Sequence, residues 1–250
     1  MVLVKTAVFS LVIGVCLLWC PSLFAQEKLT VGVAANFMLP FEEIVHEFKN
    51  ITAVKINAVY TSTGNLYGQI IHGAPYDLFL AADESRPERL LKEGLATDIF
   101  VYARGKAVLW TAKKSICTAG DWQKALMLKS VNRISIANPE TAPYGTAALR
   151  ALKIAGLEDG VSKKLVFAQN VVQSFQYAHT ESVDAGFCAL SSALSAQGKR
   201  GCHFLIEQAP IIVQKACILK GSEKKPAVEK FVSFLRSPEA RDVKKKYGYE

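Results

Sequence analysis

The sequence predicts an α/β protein with mainly parallel sheets, arranged as two lobes. Three observations carry this. Apolar β-type runs alternate with helical patterns along the chain. No linker, internal repeat or low-complexity tract interrupts them. Near residues 105–108 and 211–214, strand-like runs follow one another with no helix between, as sheet-to-sheet crossovers would. Those crossovers put residues 27–105 and 213–250 in one lobe and 106–212 in the other. A chain of 250 residues, half of them hydrophobic, can bury a core in each.

The N-terminal element is a leader. MVLVK carries one Lys, AVFSLVIGVCLLWC is apolar, and SLFA ends in a small residue before the polar QEK. This is the layout of a secretory signal peptide over residues 1–25, cleaved after Ala25. The apolar run is short for a membrane span. Anchoring as a lipoprotein through Cys20 is disfavoured by the bulky Trp19 before it. The expected location is therefore the periplasm.

LTVGVAAN (29–36) then reads as a strand. Phe37, Phe41, Ile44, Val45 and Phe48 recur at helical spacing and define one apolar face. VKINAVYTS is a second strand, and Leu66, Ile70 and Ile71 belong to the helix after it. YDLFLAAD is a third, followed by ESRPERLLKEG, a helix closed by Gly94. KAVLWTAK is a fourth. DWQKALML, RISIAN, the helix TAALRALKIAGL, KLVFAQN, VVQSFQYAH, DAGFCAL and SSALSAQG come next. CHFLIE and IIVQKACILKG are the last strand runs, and the tail from Lys225 is helical.

Charge and cysteine content restrict the function classes. The formal charge is +8, one lower after cleavage because only Lys5 is lost, and the basic residues are dispersed except near the end. A diffuse positive field steers anions. No aromatic-and-basic motif points to nucleic acid. Cys117, Cys188, Cys202 and Cys217 remain after cleavage, which allows three pairings in an oxidising compartment. Cys188 and Cys217 sit in apolar runs and also fit buried free thiols. His46, His72, His179 and His203 lack metal-ligand spacing. GxSxG, HExxH, GxGxxG and GxxxxGK[ST] are absent.

Four strand-to-helix junctions share one chemistry, at the place where open α/β sheets collect ligands. In AANFMLP, Pro40 suits a helix start and leaves the Asn36 amide free to face a ligand. In TSTGN, Ser62, Thr63 and Gly64 precede a helix without any Lys. In ANPETAPYGT, Pro143 suits a first helical position, with Tyr144 and Gly145 in the first turn. In AQNVVQ, Asn170 with Gln173 makes a capping-box variant. Each junction alone is explained by capping. Four together, across both lobes, offer helix-start N–H groups, hydroxyls and amides that could bind an oxyanion without a cation. Asp83 and Glu84 fit either a helix start or an outer surface read by a partner.

These residues resemble the periplasmic molybdate-binding proteins of ABC transporters, the ModA family. The resemblance rests on VGVAANFMLPFEEI, STGNLYGQIIHGAPYDLFLAADE, ANPETAPYGTAALRAL, QNVVQ and SPEARDVKKKYGY, and covers nearly the whole mature chain. It implies a two-lobed type II periplasmic-binding-protein fold that closes on a tetrahedral oxyanion, molybdate or tungstate, and docks on a membrane permease. It implies no cofactor, no free metal cation, no catalysis, and a monomer. Asn36, Ser62, Thr63, Tyr144 and the Val171 N–H are the implied ligand-binding residues, with Ala35 and Asn170 as secondary candidates. Ala189 stands where some members have a ligand-contacting Tyr, so Tyr144 is expected to supply the hydroxyl. Rival readings are a binding protein for sulfate or thiosulfate, an exported hydrolase using Ser62 or Thr63, and a sensor or chaperone-like protein of the same fold.

Overall fold

The computed structural model describes residues 27–250; the expected signal peptide and Cys20 lie outside them. Two five-stranded mixed sheets organise the chain. The first is built from β1 (Lys28–Ala34), β2 (Lys55–Thr61), β3 (Leu78–Leu80), β4 (Ala96–Gly105) and β10 (Ile212–Leu219), in the order β2-β1-β3-β10-β4. The second contains β5 (Ala107–Thr111), β6 (Ile134–Ala137), β7 (Leu165–Ala168), β8 (Ala185–Ala189) and β9 (Cys202–Leu205), in the order β7-β6-β8-β5-β9.

Each sheet has a parallel part that carries the helices. β1 pairs in parallel with β2 and β3, and β6 with β7 and β8. One antiparallel strand completes each sheet from within: β10 between β3 and β4, and β5 between β8 and β9. The chain passes between sheets from β4 to β5 through Lys106 alone, and returns from β9 to β10 through residues 206–211.

The helices sit where the apolar periodicity puts them. α1 (Met38–Ile51) buries Phe41, Ile44 and Phe48, continuing the face begun by Phe37. These pack on α10 (Pro226–Leu235) through Phe231, with ring centroids 5.6 Å from Phe41 and 5.2 Å from Phe48. The helical tail divides at Ser237, which caps α11 (Pro238–Lys246) by accepting from the Ala240 N–H. Proline at a first helical position explains the break. In the second lobe, Trp110 of β5 is fully buried and donates Nε1–H to the Gly198 carbonyl at 2.9 Å. Cys117 and Cys202 form a disulfide, while Cys188 and Cys217 are buried free thiols. Burial alone pushes the Cys188 thiol far above its ordinary value, so it behaves as an apolar filler.

Candidate functional site

Four segments meet between the two sheets. β1 runs into a 3-10 turn, Ala35–Phe37, that precedes α1. β2 runs into α2 (Thr63–Ile71), the loop after β6 into α6 (Pro143–Ile154), and the loop after β7 into α8 (Val171–His179). Their starts surround a small cavity lined by Ala34, Ala35, Asn36, Ser62, Thr63, Ala82, Ala142, Pro143, Tyr144, Asn170 and Val171. No lining residue is charged. All seven residues singled out from the sequence line it.

Donor accounting shows what these helix starts offer. The first four N–H groups of a helix have no partner within it. In α2, Gly64 N–H donates to the Thr141 carbonyl at 2.8 Å and Asn65 N–H to Ser62 Oγ at 3.4 Å. In α6, the Gly145 and Thr146 N–H groups both reach the Ala142 carbonyl, and Pro143 has none to give. In α8, Val172 and Gln173 N–H both donate to Asn170 Oδ1 at 3.0 Å. Among the groups left over are the N–H donors of Thr63, Tyr144 and Val171, and all three residues line the cavity.

The hydroxyls behave similarly. Thr63 Oγ accepts from the Ala82 N–H at 3.0 Å, and Ser62 Oγ accepts from Asn65. Each keeps its own proton to donate. Asn170 is a cap with its side-chain oxygen committed. Gln173 reaches back one residue further than a capping box requires, accepting from the Gln169 N–H at 2.7 Å.

Two expectations need correction. The Asn36 amide is not free: Nδ2 donates to Gln214 Oε1 at 2.9 Å and to Tyr249 Oη at 3.0 Å. A buried amide must satisfy its N–H groups, and these partners lie behind the cavity wall. The Tyr144 hydroxyl is likewise engaged, accepting from Gln214 Nε2 at 3.2 Å and sharing a hydrogen bond with Tyr249. Ala189, buried at the end of β8, does not line the cavity. Asp83 accepts from the Arg86 N–H at the start of α3 (Ser85–Lys92) and pairs with its guanidinium, while Glu84 pairs with Lys215 at 3.2 Å.

Sequence reasoning missed the groups behind the site. Tyr102 Oη lies 2.9 Å from Gln214 Oε1, and Tyr249 donates to the Asn36 carbonyl at 2.7 Å. Ser191 donates to the same carbonyl at 2.9 Å from the other lobe. Burial drives the Tyr102, Tyr144 and Tyr249 phenols above their ordinary values, so all three stay protonated. One signal was available: Gln214 shares the inward face of β10 with Ile212 and Ala216, where a lone polar residue needs a partner.

Around the cavity the lobes touch directly. Gly64 meets Thr141, Arg86 donates to the Glu140 carbonyl at 3.0 Å, and Ser191 meets Asn36. Two α/β lobes closed over an uncharged, donor-lined cavity define a solute-binding protein.

The comparisons agree. Residues 29–250 match the bacterial extracellular solute-binding protein family, and the chain belongs to it. It is 39% identical over 243 residues to the molybdate-binding protein ModA of Azotobacter vinelandii, covering 95% of this chain and 94% of that one. It is 34% identical over 229 residues to ModA of Rhodobacter capsulatus, covering 90% and 89%. Among solved structures, the Azotobacter vinelandii periplasmic molybdate-binding protein superposes with a TM-score of 0.84 at 34% identity, covering 89% of this chain and 98% of that one. The family binds solutes for transport and is not one of enzymes; what it holds is a ligand, not a cofactor.

Proposed function

We infer that this chain captures molybdate, with tungstate as a near-equivalent, and delivers it to the permease of an ABC importer. The observation that carries the reading is the donor accounting. N–H groups of Thr63 from one lobe and of Tyr144 and Val171 from the other are left over at one uncharged cavity, with the Ser62 and Thr63 hydroxyls beside them. Helix starts also bring the positive end of their dipoles. Asn36 and Ala35 contribute through the backbone of their turn, and Asn170 by fixing the start of α8. Residues 27–105 with 213–250 form one lobe and 106–212 the other, in keeping with the two sheets. The protein works as a monomer in the periplasm after cleavage behind Ala25.

Donors fixed by packing measure size. Sulfate has the same shape as molybdate but is smaller, and cannot reach donors spaced for the larger ion. Calorimetry on residues 26–250 with molybdate, tungstate, sulfate and phosphate tests this. Tight binding of the first two and weak binding of sulfate is the expected result. Tight sulfate binding with no molybdate binding would overturn it.

A further inference from the structure

We propose that Gln214 is a positioning residue of the anion site, tying the Asn36 wall of one lobe to the Tyr144 wall of the other. This rests on the oxyanion reading above.

Gln214 does not line the cavity and is fully buried behind it. It is the third residue of β10, just past the return crossover, beside an irregularity in the pairing with β4. Its amide has one acceptor end and one donor end, and the two serve different lobes. Oε1 accepts from Asn36 Nδ2 and from Tyr102 Oη, each at 2.9 Å. Nε2 donates to Tyr144 Oη at 3.2 Å. Asn36 and Tyr144 are the residues whose backbones frame the first and third junctions.

Room for this bridge is built into the other crossover. At Gly105, the last residue of β4, an added Cβ would stand 2.1 Å from Tyr144 Oη and 2.7 Å from Gln214 Nε2. The missing side chain lets the Tyr144 hydroxyl reach across the crossover to Gln214. Tyr249 completes the arrangement by holding Asn36 from two sides, accepting from its amide and donating to its carbonyl.

A chain of this kind aligns both walls only while Tyr144 and Gln214 are in contact. It therefore links lobe closure to the placing of the donor groups, through a residue that never touches the anion. Buried polar groups left unpaired are costly, so a broken bridge disfavours the closed form.

The test compares Gln214→Met, Tyr144→Phe and the double variant, with sodium molybdate as the probe. Calorimetry gives affinity, and small-angle scattering gives compaction on binding. Gln214→Met should weaken binding about 10- to 100-fold. The double variant should bind within about threefold of the weaker single, because both substitutions cut one bridge. Compaction should require more molybdate in each. Gln214→Met binding within about threefold of wild type, or losses that simply multiply in the double variant, would overturn the proposal.

Should Gln214→Met not fold, Gln214→Glu supplies the test through pH. A protonated carboxyl keeps a donor and an acceptor, as the amide does; an ionised one keeps no donor and places a charge behind the anion. Its titratable neighbours Tyr102, Tyr144 and Tyr249 all stay protonated. Binding by this variant should recover as pH falls from 8 to 5 while wild type stays flat. A variant profile as flat as wild type's overturns the proposal. Wild-type protein that takes up no oxyanion would overturn the site reading and this inference together, whereas failure of the variants alone removes only the inference.

Discussion

Gly64→Ala should weaken anion binding without weakening the fold. Gly64 is the second residue of α2, and its N–H donates to the Thr141 carbonyl of the other lobe at 2.8 Å. A Cβ there would lie 2.8 Å from Thr141 Cα, about 0.6 Å inside the 3.4 Å at which ordinary contact begins. The obstacle is backbone, so no side chain can swing aside. Overpacking of this kind costs about 1–3 kcal/mol. The strained or lost hydrogen bond adds about 0.5–1.5 kcal/mol. A total of about 1.5–4.5 kcal/mol falls on the closed form, which corresponds to roughly 10- to 2,000-fold in Kd. Alanine is meanwhile the better helix former, by up to about 1 kcal/mol, in the open and closed forms alike. The unliganded variant should therefore melt no lower than wild type while calorimetry shows the weaker Kd. Binding within threefold of wild type would refute the reasoning, because the Gly64–Thr141 contact would then be absent from the bound state. So would a lost affinity accompanied by a much lower melting temperature.

Thr63→Ala should weaken molybdate binding about 10-fold or more, since it removes a donor and leaves the Ala82 N–H without its acceptor; Asn36→Ala should do the same by removing the brace on its turn, and unchanged affinity in both would place the anion elsewhere. Replacing Cys117 and Cys202 by Ser opens a link of sequence separation 85 and should cost about 4–5 kcal/mol of stability, read as a lower melting temperature with Kd unchanged, because neither residue lines the cavity. Burial raises the Asp77 carboxyl, but Lys225 at 2.5 Å, Ser222 at 2.6 Å and the Thr30 N–H at 2.7 Å outweigh it and hold it below its ordinary value. Its contribution is present above the unfolded pKa of about 3.9 and is lost as pH falls through the folded value, so Asp77→Asn should flatten the acid limb of the melting curve below about pH 4.

How much was legible in the sequence depended on how local the cause was. Phe37, Phe41, Ile44 and Phe48 announce α1 because their spacing alone defines a face, and that face is buried. Pro143 announces the start of α6 because proline is tolerated there and little further in. The cavity-lining residues were legible for the same reason: caps and helix starts are local chemistry, and the fold brings them together. The ten-residue strand β4 was visible only as the approach to a crossover, since its burial follows no regular alternation. Tyr249 closes the stretch SPEARDVKKKYGY, but no periodicity pointed to its contacts. Its place depends on the last residue, whose backbone exchanges two hydrogen bonds with Arg104 and whose side chain meets Lys106 at 2.7 Å. Such pairing joins positions about 145 apart, and no periodicity spans that distance.

The corrections at Asn36 and Tyr144 have one physical source. Their side chains were expected to meet the anion because polar groups beside a cavity look available. Yet a buried amide or phenol facing an empty cavity would sit unpaired whenever the lobes closed without ligand. Gln214 and Tyr249 remove that cost by satisfying both groups from behind. What is left facing the cavity is the set that cannot be satisfied within its helix: backbone N–H groups at three helix starts, and the protons of two hydroxyls whose oxygens are already in use. The backbone donors among these cannot turn to suit a smaller ion, because the helices that carry them are packed into separate cores: α2 through Leu66, Tyr67 and Ile70, and α6 and α8 through Ala148, Leu152 and Phe175. Selectivity by size therefore depends on how far the lobes can close. The closest approaches there are Gly64 to Thr141 on one side and Gly105 to Tyr144 and Gln214 on the other, which the proposed reading makes the stops on closure.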